Sequence, residues 1–152
     1  MMVSTRGRYA LRVLLDLAEH SNGAYIPMKD IARRQEVSKK YLEQIMPALT
    51  RGGLVEGVHG VGGGYRLKRP AEECRVGEIL RLTEGDLAPV ACLSGKATPC
   101  SRAAECRTLG MWSRFNDMTN AYFDGITLAD LLGDRRTSRS PKDDAAPNRW
   151  AR

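Results

Sequence analysis

The stretch Ser38–Tyr65, SKKYLEQIMPALTRGGLVEGVHGVGGGY, reads as a helix, a tight turn and a β-ribbon with a glycine tip. Leu42, Ile45, Met46 and Leu49 recur at i, i+3, i+4 and i+7, so they share one apolar helix face. Lys39, Lys40, Glu43 and Gln44 then point the other way. Ser38 is placed to cap the helix, and Gly52-Gly53 lets the chain leave it through a positive-φ residue. Leu54 to His59 alternates loosely, as a strand does. Gly60 to Gly64 is a turn, and Tyr65 to Arg69 forms a second strand closed by Pro70. A helix followed at once by a glycine-tipped ribbon outlines a winged helix-turn-helix. Its polar face suits a major groove, although a solvated face would carry the same residues. The glycines Gly62, Gly63 and Gly64 would let the tip approach a phosphate backbone. A nucleotide-cradling loop is the competing reading, but no Gly-Lys-Ser/Thr follows and the next element is a strand.

Upstream elements complete the motif. Gly7 to Glu19 reads as a core helix opened by Arg6 and Arg8, both placed to touch phosphates. Pro27 starts a second helix that runs to Gln35. Glu36-Val37-Ser38 is then the three-residue turn that a helix-turn-helix requires. Pro47 sits badly inside the proposed recognition helix, where it removes a hydrogen bond at a cost of ~3 kcal/mol. A kink is expected there, since Leu49 stays in phase with Leu42 and Ile45.

Downstream, Val76, Ile79 and Leu80 mark a short helix. Leu109 to Phe123 forms a long one, with Leu109, Trp112, Asn116, Thr119 and Phe123 on one stripe and Phe115 and Tyr122 beside it. Thr127 caps a last short helix ending near Leu132. The segment from 133 to 152 has no periodicity and reads as a disordered tail. The expected organisation is mainly α with a small β-ribbon. It comprises a winged helix-turn-helix at 1–83, a cysteine-containing sensor loop at 84–107, a long C-terminal dimerisation helix with its short successor at 108–132, and the tail.

Composition narrows the function. The 152 residues carry a net charge of +6. Residues 1–70 alone hold 12 Lys/Arg against 6 Asp/Glu, whereas residues 71–132 hold 6 against 9. A basic first half joined to an acidic second unit suits a polyanion-binding module coupled to something else. No run of 18 apolar residues spans a membrane, and Arg6, Arg8 and Arg12 interrupt any signal-peptide core. The protein is expected in the cytoplasm, where four cysteines imply free thiols or a metal rather than disulfides. Three of them, Cys92, Cys100 and Cys106, fall within 15 residues in a segment broken by Gly95 and Pro99. Three sulfurs bent toward one point suit an iron–sulfur cluster; a thiol switch and zinc remain open readings. Cys74, just before an apolar helix, reads as a buried small hydrophobe.

Several of these pieces carry a resemblance. Ser4-Thr5-Arg6-Gly7-Arg8-Tyr9-Ala10-Leu11, Tyr41-Leu42-Glu43-Gln44-Ile45, Gly53-Leu54-Val55 and Gly62-Gly63-Gly64-Tyr65 resemble the signature of the Rrf-two family of bacterial transcription regulators, from about Ser4 to Leu132. The resemblance implies a homodimer on a palindromic double-stranded DNA operator, by default a repressor. Phosphate contacts would come from Arg6, Arg8, Lys39, Lys40 and the wing, with Ser38 opening the recognition helix and Tyr41, Glu43 and Gln44 facing bases. His59 stands where relatives often carry the minor-groove Arg, and Gly62 to Tyr65 form the wing. The resemblance also implies a [2Fe–2S] cluster, or a [4Fe–4S] cluster, on Cys92, Cys100 and Cys106. The fourth ligand departs from the pattern. One branch of the family uses a histidine where this chain has Leu109; another uses a partner-subunit carboxylate where it has Arg8. Three alternatives stand beside this reading: a cluster-free regulator controlled by a partner protein, an enzyme or electron carrier built on the cysteines, and a winged helix that binds protein.

Overall fold

The computed structural model describes residues 3–95, 98 and 100–133. Among these residues six α-helices run α1 Thr5–Glu19, α2 Met28–Gln35, α3 Lys39–Arg51, α4 Val76–Glu84, α5 Leu109–Asp124 and α6 Leu128–Gly133. Between α3 and α4 lies an antiparallel ribbon, β1 Val55–Val58 and β2 Gly64–Leu67, paired Val55 with Leu67 through Val58 with Gly64. The expected mainly helical winged helix-turn-helix with a long C-terminal helix is therefore the fold.

Local chemistry sets each boundary. α1 starts two residues earlier than expected because the Ser4 hydroxyl accepts from the amides of Arg6 and Gly7. Pro27 precedes α2, whose C-cap Glu36 takes a left-handed conformation with φ 54. Ser38 caps α3 by accepting from the Tyr41 amide at 3.2 Å. The turn between α2 and α3 is thus closed by one strained residue and one cap. α3 runs unbroken through Pro47, and Gly53 leaves it at φ 69 as expected.

One cluster forms the core of the helix-turn-helix. Leu14 and Leu17 of α1, Ile31 of α2, and Leu42, Ile45, Met46 and Leu49 of α3 are all essentially inaccessible. Leu54, Ile79 and Leu128 close it, with Cys74 buried as expected. Burial pushes the Cys74 thiol up from its ordinary value. A second, small cluster of Val76, Leu80 and Leu87 packs against Val3, Leu11, Phe123 and Ile126, and joins α5 to the rest. After α5 the chain returns to the core: Leu128 donates to Cys74 O at 2.9 Å, and Val76 to Ile126 O at 2.9 Å. Thr127 and Asp130 cap α6 reciprocally.

One buried charge fastens α1 to α2. The Asp16 carboxylate accepts from Arg34 Nε at 2.8 Å and Nη2 at 2.7 Å, and from Gln35 at 3.0 Å. Burial alone would raise its pKa, but the Arg34 and Gln35 hydrogen bonds outweigh it and hold the carboxyl below the usual range. Arg12 donates to the Gln35 carbonyl, so the residue just before the turn is held from both sides.

Candidate DNA-binding face and cysteine loop

Lys39, Lys40, Glu43 and Gln44 are all exposed on the outer side of α3, away from its buried Leu42, Ile45 and Leu49. A cleft of about 340 Å³ separates this side from the ribbon and is lined by Lys39, Glu43, His59, Gly60 and Gly63 among others. His59 and Gly62 are exposed at the ribbon's tip, where Val61 stands clear of every neighbour. Lys39 and Glu43 lie 3.9 Å apart and both remain largely exposed, a pairing weak enough to be exchanged for a phosphate. Arg8 is exposed, and its guanidinium donates to the Thr5 hydroxyl at 3.2 Å.

Four residues of the expected face make internal contacts as well. Tyr41 is half-buried and meets the Tyr9 ring edge-on at 5.7 Å. Tyr65 exchanges two backbone hydrogen bonds with Ile26 and packs on the core. A Cβ on Gly64 would stand 2.3 Å from Ile26 O, and one on Gly63 2.3 Å from Val58 O. These two glycines therefore admit the protein's own backbone, a requirement that stands apart from any phosphate contact. Gly60 and Gly62 have positive φ with open space around them, so they shape the tip. Gly64 belongs to β2, not to the turn.

Arg6 is exposed and has an internal contact as well. Its guanidinium donates to the backbone oxygen of Gln44 at 3.1 Å. Pro47 has no N–H, so the Glu43 carbonyl one residue away lacks its helical donor. Arg6 thus grips α3 where its own hydrogen bonding is thinnest, and the helix needs no break there. Sequence reasoning missed this contact, and also Arg66, which binds Glu56 at 2.5 Å and covers the Tyr25 ring at 4.6 Å. Cross-strand pairing of Glu56 with Arg66 was the one signal that spacing in the ribbon could have supplied.

The cysteine loop leaves α4 at Gly85, φ 83. Leu87 is buried, but Cys92, Cys100 and Cys106 are exposed free thiols. Leu87 packs with Val76 and Leu80, and the Ala91–Leu93 turn lies against α5. Hydrogen bonding with the Thr108 hydroxyl, then with the Thr108 amide, holds the Cys106 thiol below its ordinary value. Three thiols on one loop match the donor chemistry of an iron–sulfur cluster. Their sulfurs are not gathered: among the described residues no three His, Cys, Asp or Glu side chains stand close enough to share a metal ion. Pro99 lies outside the described residues.

α5 has no buried residue. Of the stripe expected at an interface, Leu109, Trp112, Asn116, Thr119 and Phe123 are half-covered by the chain itself. Phe123 packs on the small cluster, and Asn120, beside the stripe, accepts from Arg81 at 3.0 Å. The open face is the neighbouring one: Met111, Phe115, Met118 and Tyr122 are 57%, 45%, 64% and 67% exposed. Their 4-3-4 spacing is that of a helix–helix seam. Phe115 and Tyr122 belong to the set expected at an interface, and Met111 and Met118 share their exposed face.

A model of the family described as Rrf2, iron-dependent transcriptional regulator, matches residues 3–134. The chain belongs to the Rrf2 family. The transcriptional regulator IscR of Photobacterium profundum is 36% identical over 134 residues, covering 88% of this chain and 77% of IscR. Among solved structures, CymR, the global cysteine regulator of B. subtilis, is similar with a TM-score of 0.70 and 32% identity, over 88% of this chain and 97% of CymR. T. potens IscR is similar with a TM-score of 0.68 and 32% identity, over 92% of each chain. The protein is thus a DNA-binding transcriptional regulator, not an enzyme. No helix among the described residues is long and apolar enough to cross a membrane.

Proposed function

We propose that this Rrf2 regulator binds a palindromic duplex operator as a homodimer and represses transcription, with its cysteine loop as the sensor. The observation that carries the reading is the exposed polar side of α3 next to an exposed ribbon tip, with a cleft between them. Gln44 offers bidentate contact to adenine and Glu43 accepts from cytosine N4. Lys39, Lys40 and Arg8 neutralise phosphates, so affinity falls steeply with salt. His59 enters the minor groove beside the tip. The open α5 seam of Met111, Phe115, Met118 and Tyr122 buries itself on a second copy, which gives the two-fold symmetry a palindrome demands.

Cys92, Cys100 and Cys106 would hold a [2Fe–2S] cluster, or a [4Fe–4S] cluster, once the loop closes. The bound group would supply sensitivity to oxidation and nitric oxide. Support comes from the donor set and from relatives named IscR. The exposed, ungathered thiols favour a second reading, a cluster-free thiol switch. Anaerobic purification with iron and sulfide analysis separates them: absence of acid-labile sulfide removes the cluster and leaves the switch. For the regulator itself, Gln44→Ala should relax base preference in a selection from random duplexes. A uniform loss of affinity with preference intact would show that α3 does not read bases.

A further inference from the structure

Two acidic residues flank the glycine at which the cysteine loop begins, and each grips a different part of the molecule. Glu84, the last residue of α4, accepts through one oxygen from the Ser4 amide at 3.1 Å, the Ser4 hydroxyl at 2.8 Å and the Gly7 amide at 3.1 Å. A carboxylate there satisfies amides that a helix start leaves unpaired and complements its positive end. Gly7 is buried, and a Cβ on it would stand 2.3 Å from the Glu84 oxygen, so α1 and α4 are in close register at this point. Asp86 accepts from the Ala88 amide at 2.7 Å, the Ser94 hydroxyl at 2.6 Å and the Gly95 amide at 3.1 Å. It therefore ties shut the segment that carries Cys92. Gly85, at φ 83, is the pivot between them.

The chain of contacts continues past α1. Arg6, in the turn that Glu84 holds, donates to Gln44 O in α3. Ser4 and Gly7 lie within four residues of Arg6 and Arg8. Contacts thus run from Glu84 through the start of α1 and the Arg6 guanidinium to the Gln44 backbone in α3.

We propose that Glu84, Gly85 and Asp86 form a mechanical joint through which the state of the cysteine loop is passed to the DNA-contacting end of α1 and, by Arg6, to α3. Glu84 and Asp86 are positioning residues; neither needs to touch DNA. The proposal rests on the DNA-binding reading above but not on a cluster. A change at Cys92 strains the Asp86 tie, Gly85 transmits the displacement to Glu84, and the α1 turn shifts against α3.

The test uses the full chain and a duplex selected by the wild-type protein from a random pool, read by fluorescence anisotropy. The sensor loop is perturbed with N-ethylmaleimide, which reaches the exposed Cys92, Cys100 and Cys106 and leaves buried Cys74. Alkylation should change wild-type affinity by roughly 5-fold or more, within the usual range of coupling between sites. Asp86→Ala should keep the affinity of the unmodified protein and lose that response. Glu84→Ala should lose both affinity and response, and Arg6→Ala with Glu84→Ala should bind no worse than the weaker single variant. A purely structural role for Glu84 would weaken binding yet leave the response to alkylation intact, which overturns the joint. An undiminished response in Asp86→Ala, additive Arg6 and Glu84 effects, or no alkylation effect in the wild type also overturns it. Failure of the wild type to enrich any duplex would instead overturn the regulator reading.

Discussion

Replacing Gly64 with alanine tests whether the ribbon is held by Ile26 and Pro27. The added Cβ would sit 2.3 Å from Ile26 O, 2.4 Å from Ile26 C and 2.8 Å from Pro27 N. All three are backbone atoms, so no side chain can swing aside. Reaching a tolerable 3.0 Å requires β2 to retreat from the Ile26 segment. That retreat stretches both hydrogen bonds of the bridge, Ile26 N to Tyr65 O at 2.8 Å and Tyr65 N to Ile26 O at 2.9 Å. Overpacking costs about 1–3 kcal/mol, and two weakened hydrogen bonds add about 1 kcal/mol between them. A total of about 2–4 kcal/mol lowers the thermal midpoint of a chain this size by roughly 5–15 °C. Gly62→Ala is the control. Its φ of 75 is strained for alanine but nothing lies within 4 Å, so it should cost about 1–2 kcal/mol. Both variants should bind DNA less well, Gly64→Ala more so, because it displaces the whole wing. Thermal unfolding followed by circular dichroism gives the ranking. A Gly64→Ala midpoint within about 2 °C of wild type, well under the loss worked above, would show that the Ile26 bridge does not fix the ribbon.

Acid unfolding should carry the signature of Asp16. Its folded pKa lies below its unfolded value, so its contribution is present above the unfolded value, about 3.9. That contribution is lost as pH falls from there through the folded value. Urea midpoints should therefore drop below about pH 4, and Asp16→Asn should flatten that drop while costing about 3 kcal/mol at neutral pH, because Arg34 loses its partner. A wild type equally stable at pH 3 and pH 6 would contradict this. Ser38→Ala should cost about 1 kcal/mol by removing the α3 cap, read from denaturant midpoints; an unchanged midpoint would assign the Tyr41 amide another acceptor. Tyr122→Arg should convert dimer to monomer in light scattering and leave folded-chain stability within about 0.5 kcal/mol, as for a surface site. A persistent dimer would place the interface elsewhere.

The elements that sequence made legible are those specified by neighbours in the chain. Pro27 and Ser38 mark helix starts through local backbone chemistry, and the Leu42–Leu49 spacing defines a face wherever α3 is placed. The missed features depend on distant partners. Ile26 forms a single bridge with Tyr65, too short to show any period. Glu84 reads as an ordinary solvated acid until α1 is seen 80 residues earlier in the chain. The approach of Val58 and Ile26 backbone to Gly63 and Gly64 was hidden too, because glycine says only that something comes close, not what. α5 was ambiguous for a related reason. Its two stripes have the same spacing, and only the packing of Phe123 on Val76, Leu80 and Leu87 decides which one faces inward.

That small cluster also bears on how the molecule can switch. The helix-turn-helix core spans α1, α2, α3, α4 and α6, and disrupting it amounts to unfolding. The attachment of α5 and of the cysteine loop rests on three buried side chains, Val76, Leu80 and Leu87, with partly buried neighbours. Polar ties supplement it: Arg81 to Asn120 and Asp124, and Arg75 to the Asp124 carbonyl. Each buried aliphatic side chain contributes about 1.5–3 kcal/mol, and repacking forfeits only part of that. Coupling between sites typically needs 1–3 kcal/mol, whereas a domain unfolds at about 5–15 kcal/mol. Under the function proposed above, this attachment is weak enough to rearrange under a chemical signal and too small to take the helix-turn-helix apart when it does. A regulator that packed α5 into the main core would hold its DNA geometry more firmly, and would have no inexpensive way to change it.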